Sequence, residues 1–182
     1  MIRRLGVLAS FVLVITIAVP RAAAAQAPVD ANGWLVSPLL ALTFDDDAHA
    51  SLAVAGALDY VLTSAIAVEG ELGHVLDMAP NDSNVDSSLT TLHGSLLYFL
   101  GTAKSVHPYL AAGLGIGKFT REIERPPASI KSTEMGFNIG GGVTYALSDR
   151  AWVRGDVRFF NHIDETPSVW RFAGGILLRV GP

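Results

Sequence analysis

The sequence predicts an all-β protein, an eight-stranded antiparallel up-and-down transmembrane β-barrel. Three observations predict it. Eight segments of about ten residues alternate with a period of two, and helical periodicity is missing. The connections alternate between long and short, as in a meander with unlike ends. Charges collect on one face of the segments while the other face is almost free of them. A soluble sandwich would turn its charged face to water, and a membrane barrel turns it inward.

Met1 to Ala25 stands apart from these segments. Arg3 and Arg4 open it, Leu5 to Pro20 is continuously apolar, and Ala23-Ala24-Ala25 fits a cleavage pattern. The expected division is therefore a signal peptide over 1–25 and a barrel domain over 26–182, with Gln26 as the mature start. The apolar run is shorter than the roughly 20 residues of a spanning helix. Of 182 residues half are apolar, 18 are glycine and none is cysteine, so disulfides and thiolate metal sites are excluded. A net charge of -4 gives no reason to expect nucleic acid.

Strand one runs from about Gly33 to Phe44, with Trp34, Val36, Pro38, Leu40 and Leu42 on one face. Pro38 is awkward there because it lacks a ladder donor. Strand two, Ser51 to Leu62, sets Leu52, Val54, Leu58 and Tyr60 against Ala53, Ala57, Asp59 and Val61. Strand three sets Ile66, Val68 and Leu72 against Ala67, Glu69 and Glu71. Strand four, Ser88 to Leu100, sets Leu92, Leu96 and Tyr98 against Thr91, His93 and Ser95. Strand five, Val106 to about Arg121, sets Leu110, Leu114 and Ile116 against Tyr109, Gly113 and Gly115. Strand six, Glu134 to Leu147, sets Phe137, Ile139, Val143 and Tyr145 against Asn138, Gly140 and Gly142. Strand seven sets Val153, Val157 and Phe159 against Trp152, Arg154, Asp156, Arg158 and Phe160. Strand eight, Ser168 to Val180, sets Trp170, Phe172, Ile176 and Leu178 against Arg171, Leu177 and Arg179.

Long connections are expected at 45–50, 76–87, 122–133 and 161–167, and short ones at 63–64, 101–105 and 148–150. Short turns belong in the periplasm. Aromatic residues then form two interfacial girdles. Trp34, Tyr60, Tyr98 and Tyr145 lie at the short-turn end, and Phe44, Phe137, Phe159 and Trp170 at the long-loop end. Lys118 breaks the uncharged outer face near the loop end, where its ammonium can snorkel. The inner faces collect Asp59, Glu69, Glu71, Glu134 and Asp156 with Arg121, Arg154, Arg158, Arg171 and Arg179. These charges are expected to neutralise one another as a lumen network, with small residues such as Gly113, Gly115, Gly140 and Gly142 making room for the arginines. Eight strands enclose a space just wide enough for side chains to fill.

On His107-Pro108-Tyr109-Leu110-Ala111-Ala112-Gly113-Leu114-Gly115, Gly140-Gly141-Gly142-Val143-Thr144-Tyr145 and 149–158, the chain resembles the small eight-stranded OmpA/OmpX-like outer-membrane β-barrels. The resemblance runs from about Gly33 to Val180. It implies insertion by the barrel-assembly machinery, which reads a last-strand signal; Gly175, Leu178 and Val180 have its spacing. The family usually ends in Phe, whereas this chain ends Val180-Gly181-Pro182. No peptidoglycan-binding domain is expected after the barrel.

Three candidate sites have plainer accounts beside them. His93 and Ser95, with Glu69 or Glu71 on the next strand, contain the groups of a nucleophile, base and orienting carboxylate, but a satisfied polar interior explains them as well. His74 lies on the apolar face near the outer leaflet, where some barrels of this size modify lipid A, with no evident serine partner. Asp45-Asp46-Asp47 offers oxygens to a divalent cation or is a solvated turn. The five histidines show no metal-ligand spacing, and no nucleotide motif is present. The expectation is a non-enzymatic outer-membrane barrel of a double-membraned bacterium, without cofactor. Its partners are membrane lipid, the assembly machinery during insertion, and a surface partner of unknown kind. A narrow solute pore is the alternative, a lipid-modifying enzyme a third, and a soluble lipocalin-like carrier the rival fold.

Overall fold

Inside a bilayer every backbone donor and acceptor must find its partner within the protein, which leaves helices and closed barrels. The computed structural model takes the second course. It describes residues 31–45, 49–76, 85–101, 105–123, 127–162 and 168–181. The leader expected over 1–25 lies outside the described residues. The strands are β1 (Trp34–Asp45), β2 (Ala50–Val61), β3 (Ile66–Val75), β4 (Val85–Phe99), β5 (Val106–Ile123), β6 (Ala128–Ser148), β7 (Ala151–His162) and β8 (Val169–Val180). Each pairs antiparallel with the next, and β8 closes on β1.

The register defines the shape. A row of paired residues starting at Trp34 passes through Tyr60, Val68, Leu96, Ala112, Ile139, Phe159 and Trp170. It returns to β1 at Phe44, ten residues on from Trp34. A stagger of that kind goes with strands tilted roughly 35–45° to the barrel axis. Pairing rows therefore climb toward the long-loop end as they pass from β1 to β8.

Alternation does the rest. Leu40, Leu72, Leu114, Ile139, Val153 and Ile176 are exposed on the outside, while Ser37, Ala57, Glu71 and Arg158 are buried inside. Pro38 is tolerated because it pairs opposite Gly56 on β2, and the β1–β8 register passes over Ser37 and Pro38. The missing donor falls on the β8 side. There a side chain at Gly175 would collide with the Pro38 carbonyl, so glycine permits the close approach.

Two expected boundaries are corrected. The segment 122–133 reads as a loop by its charge and prolines, yet β5 and β6 stay paired as far as Ile123 opposite Ala128. β4 likewise starts at Val85, paired with Ile123, rather than at Ser88. Ladder bonding continues above the hydrocarbon, where polar side chains no longer oppose strand formation and Thr120, Ile123, Ile130 and Thr133 favour it.

Candidate functional site

The ionisable groups that reach the lumen arrive there by strand alternation. Arg154 and Arg158 project inward from β7 toward Asp59 on β2 and Glu69 on β3. Arg154 donates through Nη2 to Glu69 Oε2 (2.5 Å) and to Asp156 Oδ2 (3.1 Å), and through Nη1 to Asp59 Oδ2 (3.3 Å). Arg158 donates to both Glu69 oxygens, at 2.6 and 3.2 Å, and to Asp156 Oδ2 at 3.1 Å. Arg171 on β8 grips Glu71 with two parallel bonds, at 2.5 and 2.7 Å, and lies 4.6 Å over the Phe160 ring. Arg158 is 0% exposed and Arg154 1%. At such burial an unpaired charge would be very costly, so the fork geometry of arginine and the two oxygens of each carboxylate are both needed.

Tyr109 completes this cluster, and the sequence reading gave it no role. Its hydroxyl accepts from Arg154 Nε (2.9 Å) and donates to Asp156 Oδ2 (3.1 Å). The signal was available in the glycine opposite it. A Cβ at Gly142 would sit 2.5 Å from the Tyr109 hydroxyl. The inner glycines thus do something other than expected. Gly113 and Gly115 admit Ser95 and His93, Gly142 admits Tyr109, and Gly140 meets the Val157 carbonyl and Arg158 Cα of the next strand. They relieve neighbouring side chains and backbone more than they accommodate arginine termini.

Apolar layers bound the ionic one, a feature the sequence reading also passed over. Leu35, Val61, Ala67, Leu97, Phe99, Trp152 and Leu177 form a buried cluster inside the short-turn end. Ala41, Ala53, Val75 and Leu89, with Phe119 and Ala173 against them, form another toward the loops. Their inward phase could be read from the alternation. Their convergence across the barrel needs the closed register.

The expected balance of five against five is corrected. Arg121 is exposed on the extended β5–β6 hairpin, beyond the lumen. Arg179 is half-buried near the short-turn mouth, opposite Leu35. Glu134 is buried nearer the loop end. Around Glu69 and Glu71, four carboxylates, Asp59, Glu69, Glu71 and Asp156, are ion-paired with three guanidiniums, Arg154, Arg158 and Arg171.

His93 and Ser95 do not bond each other. Asn138 stands between them, with Nδ2 3.2 Å from His93 Nδ1 and 3.1 Å from Ser95 Oγ, and Glu71 is held by Arg171. No base is aimed at the hydroxyl. His74, half-buried on the outer face, has a hydroxyl partner the sequence hid: Thr90 Oγ1 at 2.9 Å from Nδ1. Asp45 accepts from the His49 amide at 2.9 Å and lies 3.4 Å from its ring; Asp46 and Asp47 lie outside the described residues. Of the aromatic residues, Trp34 and Tyr60 stack at 4.6 Å beside the short turns, with Tyr98 and Tyr145 on strand ends nearby. Phe137, Phe159 and Trp170 run side by side at the other end, at 6.4 and 5.2 Å, with Phe44 paired to Trp170.

Eight closed antiparallel strands, an apolar outer band and a packed, ion-paired interior define a small transmembrane β-barrel. Residues 9–175 match the family described as outer membrane protein beta-barrel domain, and the chain belongs to that family. Its setting is the outer membrane. Solved structures share the fold. The N-terminal β-barrel domain of Pseudomonas aeruginosa OprF is 18% identical at a TM-score of 0.66, covering 84% of this chain and all (100%) of that one. Neisserial surface protein A is 14% identical at 0.66, covering 81% and 96%. Ail, the attachment invasion locus protein of Yersinia pestis, is 12% identical at 0.57, covering 81% and 97%. No curated protein is similar enough in sequence to match.

Proposed function

We propose that the protein is a closed, non-enzymatic outer-membrane barrel that carries surface loops on a charge-plugged lumen. The observation that carries this reading is the layering: Arg154 and Arg158 lock onto Glu69 and Asp156 above a buried apolar floor containing Leu35, Leu97, Trp152 and Leu177. An ion entering from the periplasm would meet an apolar constriction, then a set of charges already committed to one another. Two structural neighbours are described as a surface protein and an attachment and invasion protein, which supports a surface role. The chain is exported through a cleaved leader into a Gram-negative-type envelope and inserted by the barrel-assembly machinery. The pairing of His93 and Ser95 with Asn138, rather than with each other, supports the absence of hydrolytic chemistry in the lumen.

Single-channel recording in planar bilayers tests the closed lumen. The expected trace from the heat-modifiable, folded protein is silent. Steady conductance that persists after repurification removes the plug and favours the narrow-pore reading.

A further inference from the structure

The outer surface at the extracellular end is not the same all the way round. On β6, β7, β8 and β1 the rim is aromatic: Phe137, Phe159, Trp170 and Phe44. On β3 to β6 one continuous cross-strand row reads His74, Thr90, Lys118, Thr133. Each of the first three lies six residues nearer the loop end than Val68, Leu96 and Ala112, the members of the row that climbs to Phe159 and Trp170. Since that row gains its height only as it passes round the barrel, the polar residues on the early strands come level with the aromatic rim on the late ones.

The row beneath fixes the depth. Leu72, Leu92, Ile116 and Met135 pair in sequence and are all exposed, so they face hydrocarbon. The change from four apolar side chains to an imidazole, two hydroxyls and an ammonium in a single step marks the hydrocarbon–headgroup boundary. Two residues farther out, Lys131 pairs with Thr120 and adds a second ammonium diagonal to Lys118. Both lysines are exposed, and neither enters an ion pair among the described residues. Acids return only in the next row, with Asp86 opposite Glu122.

We propose that this sector is a docking surface for the phosphates of the outer leaflet's glycolipid, lipid A. Lys118 and Lys131 supply charge, Thr90, Thr120 and Thr133 supply hydroxyl donors, and the acyl chains lie on the leucine row below. His74 spends one ring nitrogen on Thr90 and orients that hydroxyl. A membrane-level pair of unpaired ammonium groups beside hydroxyls fits a phosphate, and the lipid is the phosphate that is permanently at that depth. The inference rests on the chain spanning the outer membrane and not on the lumen being closed, so a conducting barrel leaves it intact.

Native mass spectrometry of the full-length protein in detergent provides the test, with bis-phosphorylated lipid A, its dephosphorylated form, phosphatidylglycerol and inorganic phosphate as separate probes. Bis-phosphorylated lipid A should bind at least about tenfold more tightly than the other three. Lys118→Ala with Lys131→Ala should remove that preference, the double arginine variant should restore it, and Trp170→Leu on the aromatic side should leave it unchanged. Heat-dependent gel mobility verifies that each variant is folded. Equal binding of dephosphorylated lipid, of phosphatidylglycerol or of free phosphate overturns the proposal. So does an alanine pair that keeps the preference, or a Trp170→Leu change that abolishes it.

Discussion

Arg158→Met is the sharpest test of the lumen network, because the structure gives it a partner substitution that should behave in the opposite way. Arg158 makes three hydrogen bonds, two to Glu69 and one to Asp156, at 0% exposure. Removing it leaves four carboxylates against two guanidiniums in a space that excludes water. Breaking a buried pair from one side costs roughly 3–5 kcal/mol. Asp59 differs. It accepts one long bond, 3.3 Å from Arg154, and its Oδ1 is buried without a hydrogen-bond partner. Asp59→Asn brings the formal count to three against three, and the amide can keep the one acceptor role. Its effect should stay within about 1 kcal/mol, the scale of an ordinary hydrogen bond. The assay is urea unfolding in lipid vesicles, followed by tryptophan fluorescence and the heat-modifiable gel band. With a slope of roughly 2 kcal/mol per molar, Arg158→Met should lower the midpoint by about 2 M and Asp59→Asn by less than about 0.5 M. Glu69→Gln combined with Arg158→Met should lose less than the two singles added together, since they share bonds. An Arg158→Met midpoint within about 0.3 M of wild type, or an Asp59→Asn loss as large as that of Arg158→Met, refutes the argument that paired charge holds this interior.

Three further substitutions probe packing inside and out by the same unfolding assay. Gly142→Ala drives a methyl into the Gly155 carbonyl and to 2.5 Å from the Tyr109 hydroxyl, and should cost about 1–3 kcal/mol; Gly94→Ala, with nothing within 4 Å, should be nearly neutral. Leu114, 68% exposed and facing hydrocarbon in the middle of β5, should lose roughly 2–4 kcal/mol as Leu114→Arg, and the same change should be close to neutral if that face were in water.

The period-two pattern made the strands and their faces readable because a barrel buries side chains by the same alternation that the backbone imposes. Glu69 and Arg158 could be placed inside from sequence, yet 89 residues separate them and only the closed register says that they touch. Asn138 and Tyr109 escaped for a related reason. Each is an ordinary polar or aromatic residue on an inner face, and its importance comes from what strands β4 and β7 bring to it. The 122–133 segment misled because composition reports solvent exposure, and an exposed hairpin above the membrane has the composition of a loop.

The distribution of charge along the chain explains why closure, rather than any local hairpin, satisfies it. Asp59 on β2 stands directly opposite Glu69 on β3, and Arg158 on β7 directly opposite Arg171 on β8. Like charges in facing positions destabilise a strand pair. The β2–β3 hairpin alone therefore carries an acidic repulsion, and β7–β8 alone a basic one. Asp156, bonded to Arg154 and Arg158 on its own strand, relieves the basic hairpin only in part, and on β4 Glu69 and Glu71 face Ser95 and His93 rather than an arginine. The rest of the relief comes across the lumen, where β7 meets β2 and β3 through Arg154 and Arg158, and β8 meets β3 through Arg171. Those contacts exist only once β8 has joined β1. The buried charges thus favour the closed barrel over an open sheet of the same eight strands, and they also oppose a slipped register. A shift of one residue would turn Glu69 and Arg158 into lipid and bring Val68 and Val157 inside.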